Sequence, residues 1–121
     1  MQESNNSKKY DLEERTLKFA QRIRLFIKQV PYTLINTDDL KQLLRSSGSI
    51  GANYIEANES LGRKDFMMRI KISRKEAKES RYWLNLITSS DPLFLKEKND
   101  LINESTELTK IFGAIVRKLE G

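Results

Sequence analysis

Residues 63–88 read RKDFMMRIKISRKEAKESRYWLNLIT, the longest uninterrupted helical pattern in the chain. At about 100° per residue, one side of this helix is apolar at both ends and small in the middle. Such a stripe predicts a buried face whose small centre lets a neighbouring helix approach closely. We expect that neighbour to be the small, polar run at residues 48–52. The stripe consists of Phe66, Ile70, Ser73, Ala77, Ser80, Leu84 and Ile87.

Two helical patterns precede this stretch. The first covers residues 12–29, behind Asp11 as predicted N-cap, and ends before Pro31 because proline disfavours helical backbone at the residue before it. The second covers residues 37–58, with Thr37 as its predicted N-cap.

A fourth helix follows Asp91 and Pro92, a cap residue with proline in the first turn, and ends near residue 119. Short connections between helices of similar length predict an all-α fold, an antiparallel up-and-down four-helix bundle. We expect residues 1–9 to form a disordered tail and residues 10–121 to form a single domain.

The composition excludes most kinds of catalytic site. The chain has 121 residues with no Cys and no His, so it lacks disulfides, thiolate metal sites and the usual near-neutral general base. We expect a protein that is not an enzyme and that carries no cofactor or metal. The polar N-terminus and the absence of a long apolar run predict a cytoplasmic protein without membrane contact.

Positive charge is concentrated on one arc of the third helix. The whole chain has a net charge of +5, and residues 63–81 contain 8 basic and 3 acidic residues, a surplus of equal size. A row of cations matches the phosphates of RNA or DNA, and without a base-reading motif we expect contacts to the backbone alone. The candidate nucleic-acid-binding residues are Lys64, Lys71, Arg74, Lys75, Lys78, Arg81 and Tyr82, with a smaller stripe of Arg15, Lys18 and Arg22 on the first helix.

Two other interpretations of this arc remain open. A charged helix face is most often simply solvated. Alternatively, the protein is an interaction scaffold whose basic arc recognises an acidic protein.

A mixed apolar and acidic sector lies beside the cations on the same helix. Because a helix in an isolated bundle needs only one buried stripe, we expect this sector to contact another subunit. The alternative is that Trp83 merely widens the core face and that the rest of the sector is ordinary exposed surface. The carboxylate pairs Glu56–Glu59 and Glu76–Glu79 are expected to form salt bridges rather than a cation site, with Arg45, Arg69 or Arg74 as partners. The candidate interface residues are Met68, Ile72, Trp83 and Leu86.

Three stretches carry a family resemblance: LRSSGSIGANYIEAN at residues 44–58, KDF at 64–66 and KEAKESRYWL at 75–84. With them, the chain from Tyr10 onward resembles the bacterial four-helix bundle family encoded in intervening sequences of 23S ribosomal RNA genes. One departure is that Gly62 replaces the serine that relatives often carry before the third helix. Glycine is an acceptable N-cap, so we expect the fold to be unaffected.

This resemblance implies a bundle that assembles as a ring, commonly a pentamer. It also implies kinship with the accessory protein of diversity-generating retroelements, a basic ring that binds nucleic acid and a reverse transcriptase. The resemblance therefore implies a homo-oligomer whose partners are a nucleic acid and a reverse transcriptase or other protein.

Overall fold

The computed structural model describes the backbone of residues 2–89 and 91–121, and the side chains of residues 12–89 and 91–121. Within these ranges the chain forms four helices and no strand. They are α1 (Gln2–Lys28), α2 (Leu34–Asn58), α3 (Arg63–Leu86) and α4 (Pro92–Glu120).

The start of α4 follows the sequence prediction. The Asp91 carboxylate accepts a hydrogen bond from the backbone N–H of Leu93 at 3.0 Å, and Pro92 occupies the first turn. The cap satisfies the Leu93 N–H, and proline has no N–H that would need a partner at this position.

The predicted start of α2 at Thr37 is wrong. Thr33 is the N-cap, and its hydroxyl accepts a hydrogen bond from the backbone N–H of Asn36 at 3.1 Å. Thr37 lies inside the first turn, where its own hydroxyl donates to the Thr33 carbonyl at 2.6 Å. Both threonines suit a cap, and the helix begins at the earlier one, directly after the turn that contains Pro31.

The start of α1 also differs from the prediction, because the helical backbone begins at Gln2 rather than near Leu12. The side chain of Asp11, the predicted cap, lies outside the described residues. The disordered tail at residues 1–9 and the single domain at residues 10–121 stay predictions. Farther along the chain, α3 ends at Leu86, two residues before its expected end.

The four helices pack in chain order around one core, which confirms the all-α four-helix bundle. α2 and α3 form the most extensive interface, α1 and α4 form the least extensive one, and α1 does not contact α3 in the described part of the chain. The α1–α4 pairs Arg15–Glu104 and Arg22–Glu97 run in opposite chain directions, as an antiparallel arrangement requires.

Aromatic pairs fill the bundle interior. Phe26 stacks on Phe94 with 4.8 Å between ring centroids, and Tyr54 meets Phe112 edge to face at 5.7 Å. Burial raises the pKa of the Tyr54 phenol, because the low-dielectric interior disfavours the charged phenolate.

The small centre of α3 faces α2, as predicted. The hydroxyls of Ser80 and Ser46 are hydrogen-bonded at 2.9 Å, and Ser73 donates to the backbone carbonyl of Ile50 at 2.9 Å. All three serines are fully buried, so these bonds satisfy polar groups that water does not reach.

The two glycines of the 48–52 run do not face α3, contrary to the prediction. A Cβ at Gly51 would lie 2.9 Å from Thr16 Oγ1, and one at Gly48 would lie 3.6 Å from an Arg24 side-chain nitrogen. Both contacts are with α1. α2 packs against α1 on one side and α3 on the other, so its small residues divide between two interfaces.

Candidate nucleic-acid interface

α2 and α4 cover two sides of α3, and the face between them is open to solvent; we call it the outward face of α3. On one side Arg69 donates to Asn53 of α2 at 3.0 Å. On the other, the Arg74 stem lies close to Gly113 of α4. The residues between these two sides therefore project into solvent.

Glu76, which the sequence pattern placed in the mixed apolar and acidic sector, faces α2. Its side chain is only 6% exposed and receives two hydrogen bonds from Arg45 of α2, at 3.1 and 3.2 Å. Arg45 also donates to Glu79 at 3.0 Å. The hydrogen bond to Glu76 raises the pKa of Arg45 above its already high ordinary value. The arginine thus holds both carboxylates as a structural clamp.

Three open depressions follow the outward face of α3. The central one, of about 400 Å³, is lined mainly by cations, and a second of about 380 Å³ continues toward the helix start. A third, of about 270 Å³, lies between α3 and α4. Their lining residues are, in the same order, Lys71, Arg74, Lys75, Lys78, Glu79 and Tyr82; Lys64, Asp65, Met67, Met68 and Lys71; and Lys78, Arg81, Thr106, Thr109 and Lys110.

Most of these cations have no acidic partner. Lys71 lies 3.6 Å from a Glu120 carboxylate oxygen, and both side chains are about half exposed, so this pair is weak. Among the side chains that the structure describes, no carboxylate pairs with the other five predicted cations of α3. These five are Lys64, Arg74, Lys75, Lys78 and Arg81.

The predicted α1 stripe does not join this face. Arg15 binds Glu104 of α4 with two hydrogen bonds, at 2.7 and 2.9 Å, and Arg22 lies 3.6 Å from Glu97. Arg15 therefore fastens α1 to α4, whereas the longer and more exposed Arg22–Glu97 pair is weak. Lys18 is exposed, but it lies on a helix that does not contact α3 in the described structure. These pairs could not be predicted from local sequence because the acidic partners are about 75 to 90 residues away in the chain.

Residues 8–114 match the family described as 23S rRNA-intervening sequence protein. The chain belongs to this family. A crystal structure from Bacteroides thetaiotaomicron, described as a protein with unknown function from the S23 ribosomal protein family, is similar at 35% identity and a TM-score of 0.72. The alignment covers 86% of this chain and 96% of that chain. The comparison with curated proteins finds no match.

All of α2 and α3 lies within the family match, together with α4 as far as residue 114. The family match therefore includes the whole outward face of α3 with its cations, which is the cationic face of the molecule. It also includes the three α4 residues that line the third depression, Thr106, Thr109 and Lys110. Sequence reasoning missed these three, although their spacing of three and four residues would place them on one helix face.

The predicted assembly residues of this family member differ in exposure. Met68 is 50% exposed and Leu86 is 42% exposed, whereas Ile72 and Trp83 are partly buried. Trp83 packs against the core, in agreement with the alternative that it widens the buried face. Its indole N–H is buried without a hydrogen-bond partner among the described residues.

The described residues contain no group of three or more potential metal-ligating side chains close enough to hold an ion. The Glu76–Glu79 pair is occupied by Arg45, which agrees with the salt-bridge interpretation of these carboxylates. No helix in the described ranges is both long and apolar enough to cross a membrane.

Proposed function

We propose that this member of the family is a non-enzymatic basic bundle that binds RNA or DNA through its phosphates. The binding surface is the outward face of α3. The observation that carries the proposal is the contrast between two helices. Arg15 of α1 is held by a carboxylate at 2.7 Å, whereas Lys64, Lys75, Lys78 and Arg81 of α3 are exposed and Arg74 is partly exposed, all five without an acidic partner among the described side chains.

The dimensions of the face suit a polyanion. Lys64 and Arg81 are 17 residues apart, which corresponds to about 25 Å at the helical rise of 1.5 Å per residue. A rigid row of this length contacts several successive phosphates and releases their condensed counterions. The chain also carries no recognisable base-reading motif. We therefore expect backbone contacts without sequence preference.

We further propose that the protein is a homo-oligomer that assembles through Met68, Ile72, Trp83 and Leu86. Met68 and Leu86 are substantially exposed apolar side chains, which an assembly contact would cover. The ring of five implied by the family resemblance would carry a formal charge of +25 for a chain of +5. Repetition of the cationic face would raise the affinity for a long polyanion by multivalency.

The test of the binding function is a fluorescence-anisotropy titration with labelled RNA and DNA at two salt concentrations. If five cations each contact a phosphate of a single strand, affinity falls about 100-fold between about 50 and 200 mM salt. The variant K75E/K78E/R81E leaves at most two of these contacts. Its affinity at low salt should fall steeply, and its remaining salt dependence should be less than about tenfold.

The matched control is R24E/K28E/K41E, which changes the net charge equally at exposed positions outside the face. It should retain the steep salt dependence and most of the affinity. Equal losses of affinity in the two triple variants would contradict phosphate binding by α3. Affinity of the unmodified protein that does not depend on salt would contradict it as well. Tighter binding of polyglutamate than of nucleic acid would instead indicate an acidic protein partner.

Light scattering tests the assembly. We expect a mass several times 14.1 kDa for the unmodified chain and a reduced mass for M68D/L86D, which places charge on the exposed part of the proposed interface. A monomeric unmodified protein would contradict this proposal.

A further inference from the structure

Tyr82 lies within the cationic face rather than beside it. Its side chain lines the central depression together with Lys75 and Lys78, and the residue is 58% exposed. Counted from Lys71, these residues follow at spacings of four, three and four, which places them along one side of α3. A large aromatic ring is therefore presented to solvent between cations.

The Tyr82 ring is supported from behind. It meets the Trp83 ring in a T-shaped contact, with 5.0 Å between centroids and 76° between planes. Trp83 in turn packs against the core. This contact restricts the tyrosine ring, so less conformational freedom is lost when a ligand binds to it.

A duplex and a single strand would contact the Tyr82 ring differently. The bases of a duplex are stacked on one another and cannot stack on a protein ring, so a duplex would offer this face mainly its phosphates. The bases of a single strand can turn outward and stack on an aromatic side chain while the phosphates contact cations.

We propose that the outward face of α3 prefers single-stranded nucleic acid, with one base stacked on Tyr82 and the flanking phosphates bound by Lys75 and Lys78. This inference rests on the proposed function and deepens it. The cations supply affinity for either form, whereas the tyrosine selects the form whose bases are accessible.

The test compares single strands of uridine and of thymidine, each about 20 nucleotides long, with a duplex of the same length. The variants are Tyr82→Leu, which removes the ring, and Tyr82→Phe, which keeps it. Tyr32→Leu is the control, because Tyr32 is 80% exposed but lies in the turn between α1 and α2, outside the cationic face.

We expect the unmodified protein to bind a single strand more tightly than the duplex. Tyr82→Leu should weaken single-strand binding by at least about fivefold, as expected for one lost base–aromatic stack, and should leave duplex binding unchanged. Tyr82→Phe and Tyr32→Leu should bind as the unmodified protein does. If Tyr82→Leu weakens binding of the uridine strand, the thymidine strand or both, the proposal is supported. The strand affected then shows whether RNA, DNA or either is bound.

Salt-dependent binding that is equal for duplex and single strand, or that Tyr82→Leu leaves unchanged, overturns the single-strand preference while leaving phosphate binding intact. The absence of salt-dependent binding to every probe overturns the proposed function itself. Because Trp83 is the only tryptophan of the chain, its fluorescence gives a second readout. We expect it to change when a single strand binds to the unmodified protein, and an unchanged signal at saturation contradicts stacking on the neighbouring ring.

Discussion

Gly51 lies at a close contact between α2 and Thr16 of α1, and its replacement by alanine tests that packing. The added Cβ would lie 2.9 Å from Thr16 Oγ1 and 3.2 Å from Thr16 Cβ, both nearer than ordinary contact. Thr16 is only 1% exposed, and its hydroxyl is hydrogen-bonded to the carbonyl of Leu12 at 2.9 Å. The threonine therefore has little room to move, and the two helices must separate slightly.

The expected magnitude follows from two opposing effects. Alanine favours the helix over glycine by about 1 kcal/mol, whereas overpacking a close contact costs about 1 to 3 kcal/mol. Gly51→Ala should therefore lower the free energy of unfolding by about 1 kcal/mol. Gly48→Ala is the matched control in the same helix, because its Cβ would meet only the end of the Arg24 side chain, at 3.6 Å. This control should raise the free energy of unfolding by about 0.5 to 1 kcal/mol.

Urea denaturation followed by circular dichroism measures both variants against the unmodified protein. The account predicts opposite signs for the two glycines. If Gly51→Ala were as stabilising as Gly48→Ala, the close approach of α1 and α2 at Thr16 would be refuted.

Three further predictions concern stability. Glu76→Gln should cost about 1 to 2 kcal/mol in urea denaturation, because the buried carboxylate binds Arg45, whereas Glu79→Gln, at a more exposed position, should cost less; equal costs would contradict the clamp. Thr33→Ala should cost about 1 kcal/mol in the same assay as a lost N-cap, and an unchanged midpoint would contradict that cap. The raised pKa of Tyr54 contributes stability that is present below its ordinary value of about 10 and is lost as pH rises through the folded-state pKa. The free energy of unfolding of Tyr54→Phe, which cannot ionise, should therefore fall less above that pH than that of the unmodified protein. Identical dependence on pH for the two proteins would contradict the effect.

Periodicity predicted the features that depend on neighbours along one helix. The spacing of Ile70, Ala77 and Leu84 identified the buried face of α3 because residues three, four and seven positions apart share one side. The small residues Ser73 and Ser80 likewise indicated close packing against another helix. Local chemistry also located the start of α4.

Features that depend on distant residues could not be predicted in the same way. The pairing of Arg15 with Glu104 follows from the packing of α1 against α4, which no local pattern records. Gly51 faces α1 rather than α3 for a similar reason, since a helix wheel gives directions but not the identity of the neighbour. The choice between Thr33 and Thr37 as cap depended on the turn before α2, where both residues satisfy the local rule.

Lysine footprinting tests most directly whether the outward face of α3 is the binding surface. The protein is treated with an amine-reactive reagent in the presence and absence of saturating single-stranded RNA, and modification is quantified at each lysine by mass spectrometry. The account predicts protection of Lys64, Lys75 and Lys78, with unchanged reactivity at Lys18 and Lys41 on the other helices. Protection of Lys18 without protection of Lys75 and Lys78 would contradict it.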